Sequence, residues 1–183
     1  MKLFIASDIH GSAYYCRLLL ERLKSEGAES LLLLGDTLYH GPRNALPRDY
    51  APMEVAGLLN ALEVPVCSVR GNCDAEIDQT VLDFPIMADY SLLLAGRRRV
   101  FVTHGHLYTP EEHPRLRKGD AFLFGHIHVP VCEGRDGVLV LNPGSVSIPK
   151  EQSPHSAMVY EDGLFRWLDL ETGACCQEYR WEV

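Results

Sequence analysis

No apolar run in these 183 residues approaches the roughly 20 that a membrane-spanning helix requires. The longest, such as Leu31–Leu34 and Ser91–Ala95, are the length of a strand. The opening Met1-Lys2-Leu3-Phe4-Ile5-Ala6 reaches Ser7-Asp8 too soon for the apolar centre of a signal peptide, so a cytoplasmic protein without a membrane partner is expected. The six cysteines, Cys16, Cys67, Cys73, Cys132, Cys175 and Cys176, form no Cys-x-x-Cys pair, and reduced thiols are expected instead of a disulfide scaffold. Cys175 and Cys176 are read as neighbours on one strand, facing opposite ways. Basic residues are scarce: 17 Lys and Arg against 25 Asp and Glu leave a formal charge of -8, which argues against an extended nucleic-acid surface, and none is expected. The run Arg97-Arg98-Arg99 falls in a hairpin turn and is read as solvated. Internal repeats, low-complexity tracts and linkers are missing too. With 46% hydrophobic and 23% charged residues, disorder, collagen and coiled coil drop out, and one domain spanning 1–183 is expected.

What is present is an alternation of short apolar runs with turn chemistry. Lys2–Ser7 reads as a strand. Ser12 caps a helix through Glu26 with Tyr15, Leu18, Leu19 and Leu23 on one face, and Gly27 ends it. Leu31–Leu34 and Val66–Val69 read as strands on either side of a helix over Ala51–Leu62, whose stripe is Val55, Leu58, Leu59 and Leu62. That order predicts a parallel sheet covered on both faces. The second half is richer in strands. Tyr90–Leu94 and Val100–Thr103 flank a turn, Ala121–Phe124 and Val138–Leu141 follow, and Ala157–Tyr160 and Leu164–Leu168 flank Asp162-Gly163, a hairpin signal. The class is α/β, a sandwich with mixed strands.

Five of these strands run into a glycine and a potential metal ligand. They end in Ser7-Asp8-Ile9-His10-Gly11, Gly35-Asp36, Gly71-Asn72-Cys73-Asp74, Thr103-His104-Gly105-His106 and Gly125-His126-Ile127-His128. Carboxyl ends of strands are where open α/β sheets build ligand sites. In extended chain, residues i and i+2 share a side, so Asp8 with His10, and His126 with His128, can each present two donors to one place. Imidazole, carboxylate and amide oxygen suit Mn²⁺, Fe²⁺ or Zn²⁺ better than an all-oxygen Ca²⁺ site or a thiolate zinc site. Seven candidates exceed one tetrahedral ion. With one carboxylate bridging, they furnish two ions with about four protein ligands each, at the roughly 4 Å spacing that serves phosphoryl transfer. Such a pair, even with Asp8, Asp36 and a shared hydroxide, keeps a net positive charge and lets an acidic protein hold a phosphate.

In sequence order these segments resemble the calcineurin-like metallophosphoesterases, whose pattern is DxH, GD, GNH[DE], a lone H and GHxH. Here it stands as Asp8-Ile9-His10, Gly35-Asp36, Gly71-Asn72-Cys73-Asp74, His104 and Gly125-His126-Ile127-His128, continuing in Asn142-Pro143-Gly144-Ser145. The stretches His40–Pro47 and Asn142–Lys150 are similar to the small bacterial YfcE-type phosphodiesterases in particular. The resemblance implies a four-layer α/β/β/α sandwich of two mixed sheets. It implies that Asp8, His10, Asp36 and His128 hold one metal, and that bridging Asp36, Asn72, His104 and His126 hold the other. Both would be divalent, Mn foremost, with Fe or Zn as the other fits. Asn72, Cys73 and His104 are then the catalytic residues, and a metal-bridging hydroxide attacks a small phosphodiester in line.

One position departs from the pattern. Cys73 stands where many relatives carry His. A thiol donates a hydrogen bond poorly and carries no positive charge, so help to the leaving oxygen weakens and aryl leaving groups are favoured over alkyl ones. Around this set, Arg43, Asn44 and His106 are candidate substrate contacts, with a loop salt bridge as the alternative for Arg43 and an orienting role beside His104 for His106. Asp74 is expected to support its loop, Asn142 to serve a turn, and His40, His113 and His155 to lie on the surface or in loops. The competing functions are a non-enzymatic scaffold, as the retromer subunit of this fold is, and a dinuclear hydrolase of carbonyl substrates. The first requires loss of ligands, and none of the seven is lost; the second carries HxHxDH or HEXXH signatures, both absent here. A homodimer or homotetramer is also expected.

Overall fold

The computed structural model describes residues 2–182. It contains two mixed sheets. In the first, the parallel strands β1 (Lys2–Ala6), β2 (Ser30–Leu33) and β3 (Val66–Ser68) are extended by antiparallel β9 (Ser156–Glu161), β10 (Leu164–Asp169) and β11 (Cys175–Arg180), in the order β11-β10-β9-β1-β2-β3. The second runs β4-β5-β6-β8-β7, built from β4 (Tyr90–Ala95), β5 (Arg98–Thr103), β6 (Ala121–Leu123), β7 (Pro130–Arg135) and β8 (Val138–Pro143). Within it β5, β6 and β8 are parallel. Among the described residues no helix is long and apolar enough to cross a membrane.

Strand periodicity assigns the layers. Phe4, Ala6, Leu31 and Leu33 turn to one face of the first sheet, where α1 (Ala13–Glu26) and α2 (Pro52–Asn60) bury Leu19, Leu23, Val55 and Leu59 against them. The alternate residues Ile5, Leu32 and Leu34 face the other way. They meet Val100, Val102, Ala121, Leu123, Leu139 and Leu141 of the second sheet, with Trp167 buried among them. Each fully buried side chain of this kind contributes about 1.5–3 kcal/mol. The second sheet's outer face, Phe101, Phe122, Val138 and Val140, is covered by Tyr108 and Leu116. This fourth layer holds no α-helix among the described residues. Pro110 and Pro114, set between Gly105 and Gly119, deny that segment a continuous helical ladder.

The helix ends follow their chemistry. Ser12 accepts from the Tyr15 N–H at the start of α1, and Gly27 closes it at φ 63°. The Asp162-Gly163 hairpin forms, with both residues at positive φ (46° and 81°). The same chemistry recurs at Asp136-Gly137 (53° and 82°), joining the expected β8 to β7, which the sequence does not predict. Its signal was weak because β7 is an edge strand carrying Pro130 and Gly134.

Two other expectations are corrected. Cys176 is the extra residue of a bulge, since Leu168 pairs with Cys175 but Trp167 with Gln177. Regular alternation breaks there, and both thiols are exposed. Nor is the arginine run simply solvated. Arg99 Nε and Nη2 donate to Asp120 Oδ2 at 2.9 and 2.6 Å, Arg98 Nη1 donates to the Lys118 carbonyl at 2.9 Å, and Asp120 is only 3% exposed.

Candidate metal centre

All five ligand-bearing segments leave the carboxyl ends of parallel strands: β1, β2 and β3 in one sheet, β5 and β6 in the other. Sheet packing brings those two edges together. Backbone geometry then turns the side chains inward. Asp8, His10, Asp36, His126 and His128 all sit in the left-handed region, at φ 60°, 49°, 54°, 68° and 63°. Each such residue costs on the order of 1 kcal/mol and persists only where its surroundings over-determine it. They do so here. Asp8 N–H donates to the Gly35 carbonyl and His10 N–H to the Asp36 carbonyl, at 3.1 and 2.9 Å. Ser145 and Ser147 hydroxyls both donate to the Asp8 carbonyl. A Cβ on Gly71 would lie 2.1 Å from Asp36 Oδ1, so only glycine admits this approach.

Asp74 performs the loop-supporting role expected of it. Its carboxylate accepts the N–H groups of Asp36, Thr37 and Gly71 at 2.8, 2.9 and 2.7 Å, binding the end of β2 to the end of β3. Burial pushes this carboxyl up, and the amide donors pull it back.

Three imidazoles are oriented alike. His10, His104 and His128 each place Nδ1 against a carbonyl, of Tyr39, Leu34 and Ile148, at 2.7, 2.6 and 2.6 Å. A carbonyl accepts only, so Nδ1 carries the proton and the Nε2 lone pair faces inward. There the partners are other acceptors. His10 and His128 Nε2 stand 3.4 Å apart. Asp8 Oδ1 lies 3.5 Å from His10 Nε2 and 3.2 Å from His128 Nε2. Asp36 Oδ2 is 3.6 Å from His10 Nε2 and 3.4 Å from His104 Nε2, between the two halves, while its Oδ1 is taken by the Cys73 N–H. Asn72 Oδ1 is 3.1 Å from His104 Nε2. Asp8 Oδ1 is buried with no hydrogen-bond donor. A gathering of lone pairs around an orphaned carboxylate oxygen is a fit for cations.

Three sets of donor atoms lie mutually within 4.8 Å among the described residues, Asp8–His10–His128, Asp8–Asp36–His104 and His10–Asp36–Cys73. His126 enters none of them; its ring is edge-on to His104 at 5.1 Å and its N–H donates to Asp8 Oδ2 at 3.2 Å.

The electrostatics of the ion-free chain point the same way. Burial would raise Asp8, but contacts with His10 and His128 hold it well below the carboxylate range. Burial opposes the charged form of His104, yet Asp36 and Asp8 push it up to about 9, so without an ion the inward Nε2 lone pair of His104 is taken by a proton, as it would be by a metal. Burial drives Cys73 up to about 12, reinforced by Asp36, and keeps it a neutral thiol.

The remaining expected residues divide. Arg43 and Asn44 line the metal cleft, about 290 Å³, beside Cys73. Asn44 is occupied in holding its loop, donating to the His40 carbonyl at 2.8 Å, and Arg43 makes no ion pair among the described residues. Lys150, in the same wall, was not singled out by sequence; its place in the Asn142–Lys150 stretch was the available signal. His106 lies outside this cleft, in the adjoining one, 5.4 Å from the His104 ring, and burial with its neighbouring imidazoles lowers it to about 4. Asn142 does more than turn: its amide donates to the Gly125 carbonyl at 2.7 Å and accepts the Gly144 N–H. His40 and His155 lie in loops, as expected, and pack there against aromatic rings. His155 stacks on Tyr15 at 3.8 Å, and His40 sits between Tyr39 and Tyr50.

Comparison with known proteins agrees with this geometry. Residues 1–162 match the model of the calcineurin-like phosphoesterase superfamily domain. Phosphodiesterase YfcE of Escherichia coli (strain K12) is 51% identical over 156 residues, covering 85% of each chain. The solved structure of Yfce, a phosphoesterase from E. coli, superposes with a TM-score of 0.96 over 100% of both chains at 44% identity. Vps29 of Entamoeba histolytica complexed with Zn²⁺ shares the fold, with a TM-score of 0.68 over 100% of both chains at 19% identity. With inward-facing acceptors at strand ends and a matching sequence over most of its length, this chain belongs to the calcineurin-like phosphoesterase superfamily.

Proposed function

We propose that this chain is a metal-dependent phosphodiesterase acting on small phosphodiesters. The observation that carries the reading is the convergence of His10, His104 and His128 Nε2 on Asp8 and Asp36, with Asp8 Oδ1 buried and lacking a donor. Asp8, His10 and His128 would hold one divalent ion, Asn72, His104 and His126 the other, and Asp36 would serve both. Two such ions, Mn²⁺ foremost, would supply a hydroxide nucleophile at neutral pH and would neutralise charge on the phosphate.

The chain's own residues do the rest. Leu34, Tyr39 and Ile148 carbonyls hold each imidazole proton at Nδ1 and keep Nε2 free. Arg43 and Lys150 bring positive charge to the mouth of the cleft and meet the phosphate there. Oxygen adds to phosphorus in line with the ester oxygen that leaves. Cys73 faces that leaving oxygen as a neutral thiol, a weak donor that protonates it poorly. Aryl esters, which leave as stable anions, are therefore cleaved faster than alkyl esters.

Hydrolysis of bis-(p-nitrophenyl) phosphate with added Mn²⁺ tests this against a carboxylic ester and a β-lactam. Metal-dependent release from the diester alone is expected. No diester turnover by folded, metal-loaded protein refutes it, and leaves the scaffold reading.

A further inference from the structure

The metal cleft does not end at Cys73. On the other side of that residue a second cleft, about 380 Å³, opens between the loop after β2, the start of α2 and the turn over 75–81. Cys73 is a wall of both. The two clefts differ in chemistry. Imidazoles, the Asp36 carboxylate, Arg43 and Lys150 line the first. The second is floored by Leu38 and walled by Tyr39, Tyr50, Met53 and Ile77. Its Asp78 is already engaged, accepting the Ala75 N–H at 2.8 Å.

The aromatic wall is braced. His40 packs edge-on to Tyr39 at 4.8 Å and to Tyr50 at 5.1 Å. Around this concavity Tyr39, Met53 and Ile77 are 42%, 65% and 70% exposed. Single exposed apolar residues need no explanation, but several rimming one apolar hollow beside a reaction centre describe a ligand site.

We propose that this second cleft is the leaving-group subsite and that it takes a flat apolar alcohol, a phenol or a larger fused ring, departing from a phosphodiester. The inference rests on the phosphodiesterase reading of the metal cleft. If the leaving oxygen meets Cys73, the group attached to that oxygen lies beyond Cys73, and what lies there is this hollow. In the step itself the phosphorus–oxygen bond breaks and its electron pair leaves with the aryl oxygen. Water supplies the new oxygen on phosphorus, and one of its protons ends on the aryloxide.

The subsite separates two causes of aryl preference. Weak donation by Cys73 selects for acidity of the leaving group. The hollow selects for apolar area at equal acidity. Two substrates distinguish them: methyl 4-nitrophenyl phosphate, and a methyl nitronaphthyl phosphate whose naphthol isomer matches 4-nitrophenol in acidity. With the Mn²⁺-loaded chain, kcat/KM is expected to be on the order of tenfold higher for the naphthyl ester. Ile77→Glu is expected to bring that ratio close to one. Leu94→Glu, on β4 and outside both clefts, leaves the ratio as it is.

A second readout needs neither metal nor turnover. Fluorescence titration with 2-naphthol is expected to show binding to the metal-free chain that Ile77→Glu weakens at least fivefold. A wild-type ratio near one overturns the subsite, as does a ratio and a naphthol affinity both unmoved by Ile77→Glu. Absence of turnover of both esters overturns the phosphodiesterase reading instead, and the leaving-group role with it, even where naphthol binds.

Discussion

Replacing Asp74 by Asn is the sharpest test of how the centre is held. The native carboxylate gives Oδ2 to the N–H groups of Asp36 and Gly71 and Oδ1 to that of Thr37. An asparagine keeps one acceptor oxygen. Placed at the Oδ2 position it preserves two of the bonds, and its NH₂ then faces the Thr37 N–H, donor against donor. The loss is one charge-assisted hydrogen bond, about 1.5–3 kcal/mol, together with a buried N–H left without a partner, a further 1–3 kcal/mol. About 3–4 kcal/mol of stability is expected to go. For a chain of this length that is a fall in Tm of roughly 6–16 °C. The function suffers separately, because Asp36 is carried on the backbone that Asp74 anchors. Removing an outer support of a metal ligand costs about 10–100-fold in affinity. Differential scanning calorimetry of metal-free protein reads the first effect, and isothermal titration with Mn²⁺ at a temperature where both proteins are folded reads the second. A Tm within 2 °C of wild type, or an unchanged Mn²⁺ affinity, would refute the reasoning (the 2 °C threshold being about 0.5–1 kcal/mol).

Other consequences follow from the same geometry. Cys73→His, placed beside an open cleft of about 290 Å³, is expected to raise turnover of alkyl diesters about 10–100-fold and of aryl diesters less; equal or lower rates in a folded, metal-loaded variant count against the thiol as a weak donor. Gly71→Ala forces a Cβ to within 2.1 Å of Asp36 Oδ1 and 2.3 Å of Asp36 N, so bound metal measured after dialysis should fall about tenfold or more; full retention would show that the two strand ends can separate. Asp120→Asn tests the pair with Arg99. Burial raises the Asp120 carboxyl, but the Arg117 and Arg99 N–H donors and the Arg99 guanidinium outweigh it and hold it below the usual value. A depressed carboxyl stabilises the fold above its unfolded pKa of about 3.9 and ceases to do so as pH falls through the lower folded value. Urea titrations should thus give a gap of about 2 kcal/mol between wild type and variant that is constant from about pH 8 to pH 5 and closes below about pH 4; a gap independent of pH would be inconsistent with the pair.

Several features were legible in the sequence because they are local. Ser12 and Gly27 bound α1 by chemistry that acts within one turn. Asp162-Gly163 makes a hairpin because its two residues tolerate positive φ. Asp136-Gly137 carries the same information, and β7 went unnoticed only because Pro130 and Gly134 blur the strand beside it. The arginine run misled for the opposite reason. Arg99 finds its partner 21 positions away, and nothing near it in the chain announces Asp120.

The amino-acid sequence alone determined which atoms are available: carboxylates, imidazoles and an amide just past strand ends, with glycines where backbones must approach; the i and i+2 spacing expected to act in extended chain does so instead through left-handed turns at Asp8, His10, His126 and His128. Tertiary structure decided what those atoms do to one another. Only the packing of one sheet on the other carries the Leu34 carbonyl to His104 Nδ1, and only the fold of distant loops places the Tyr39 and Ile148 carbonyls on His10 and His128. The apolar hollow behind Cys73 likewise exists only where the loop after β2, α2 and the turn over 75–81 meet. The physical reason is range. Residue type and backbone preference act over a few neighbours, whereas the direction of a lone pair and the shape of a cavity depend on contacts between residues far apart in the chain.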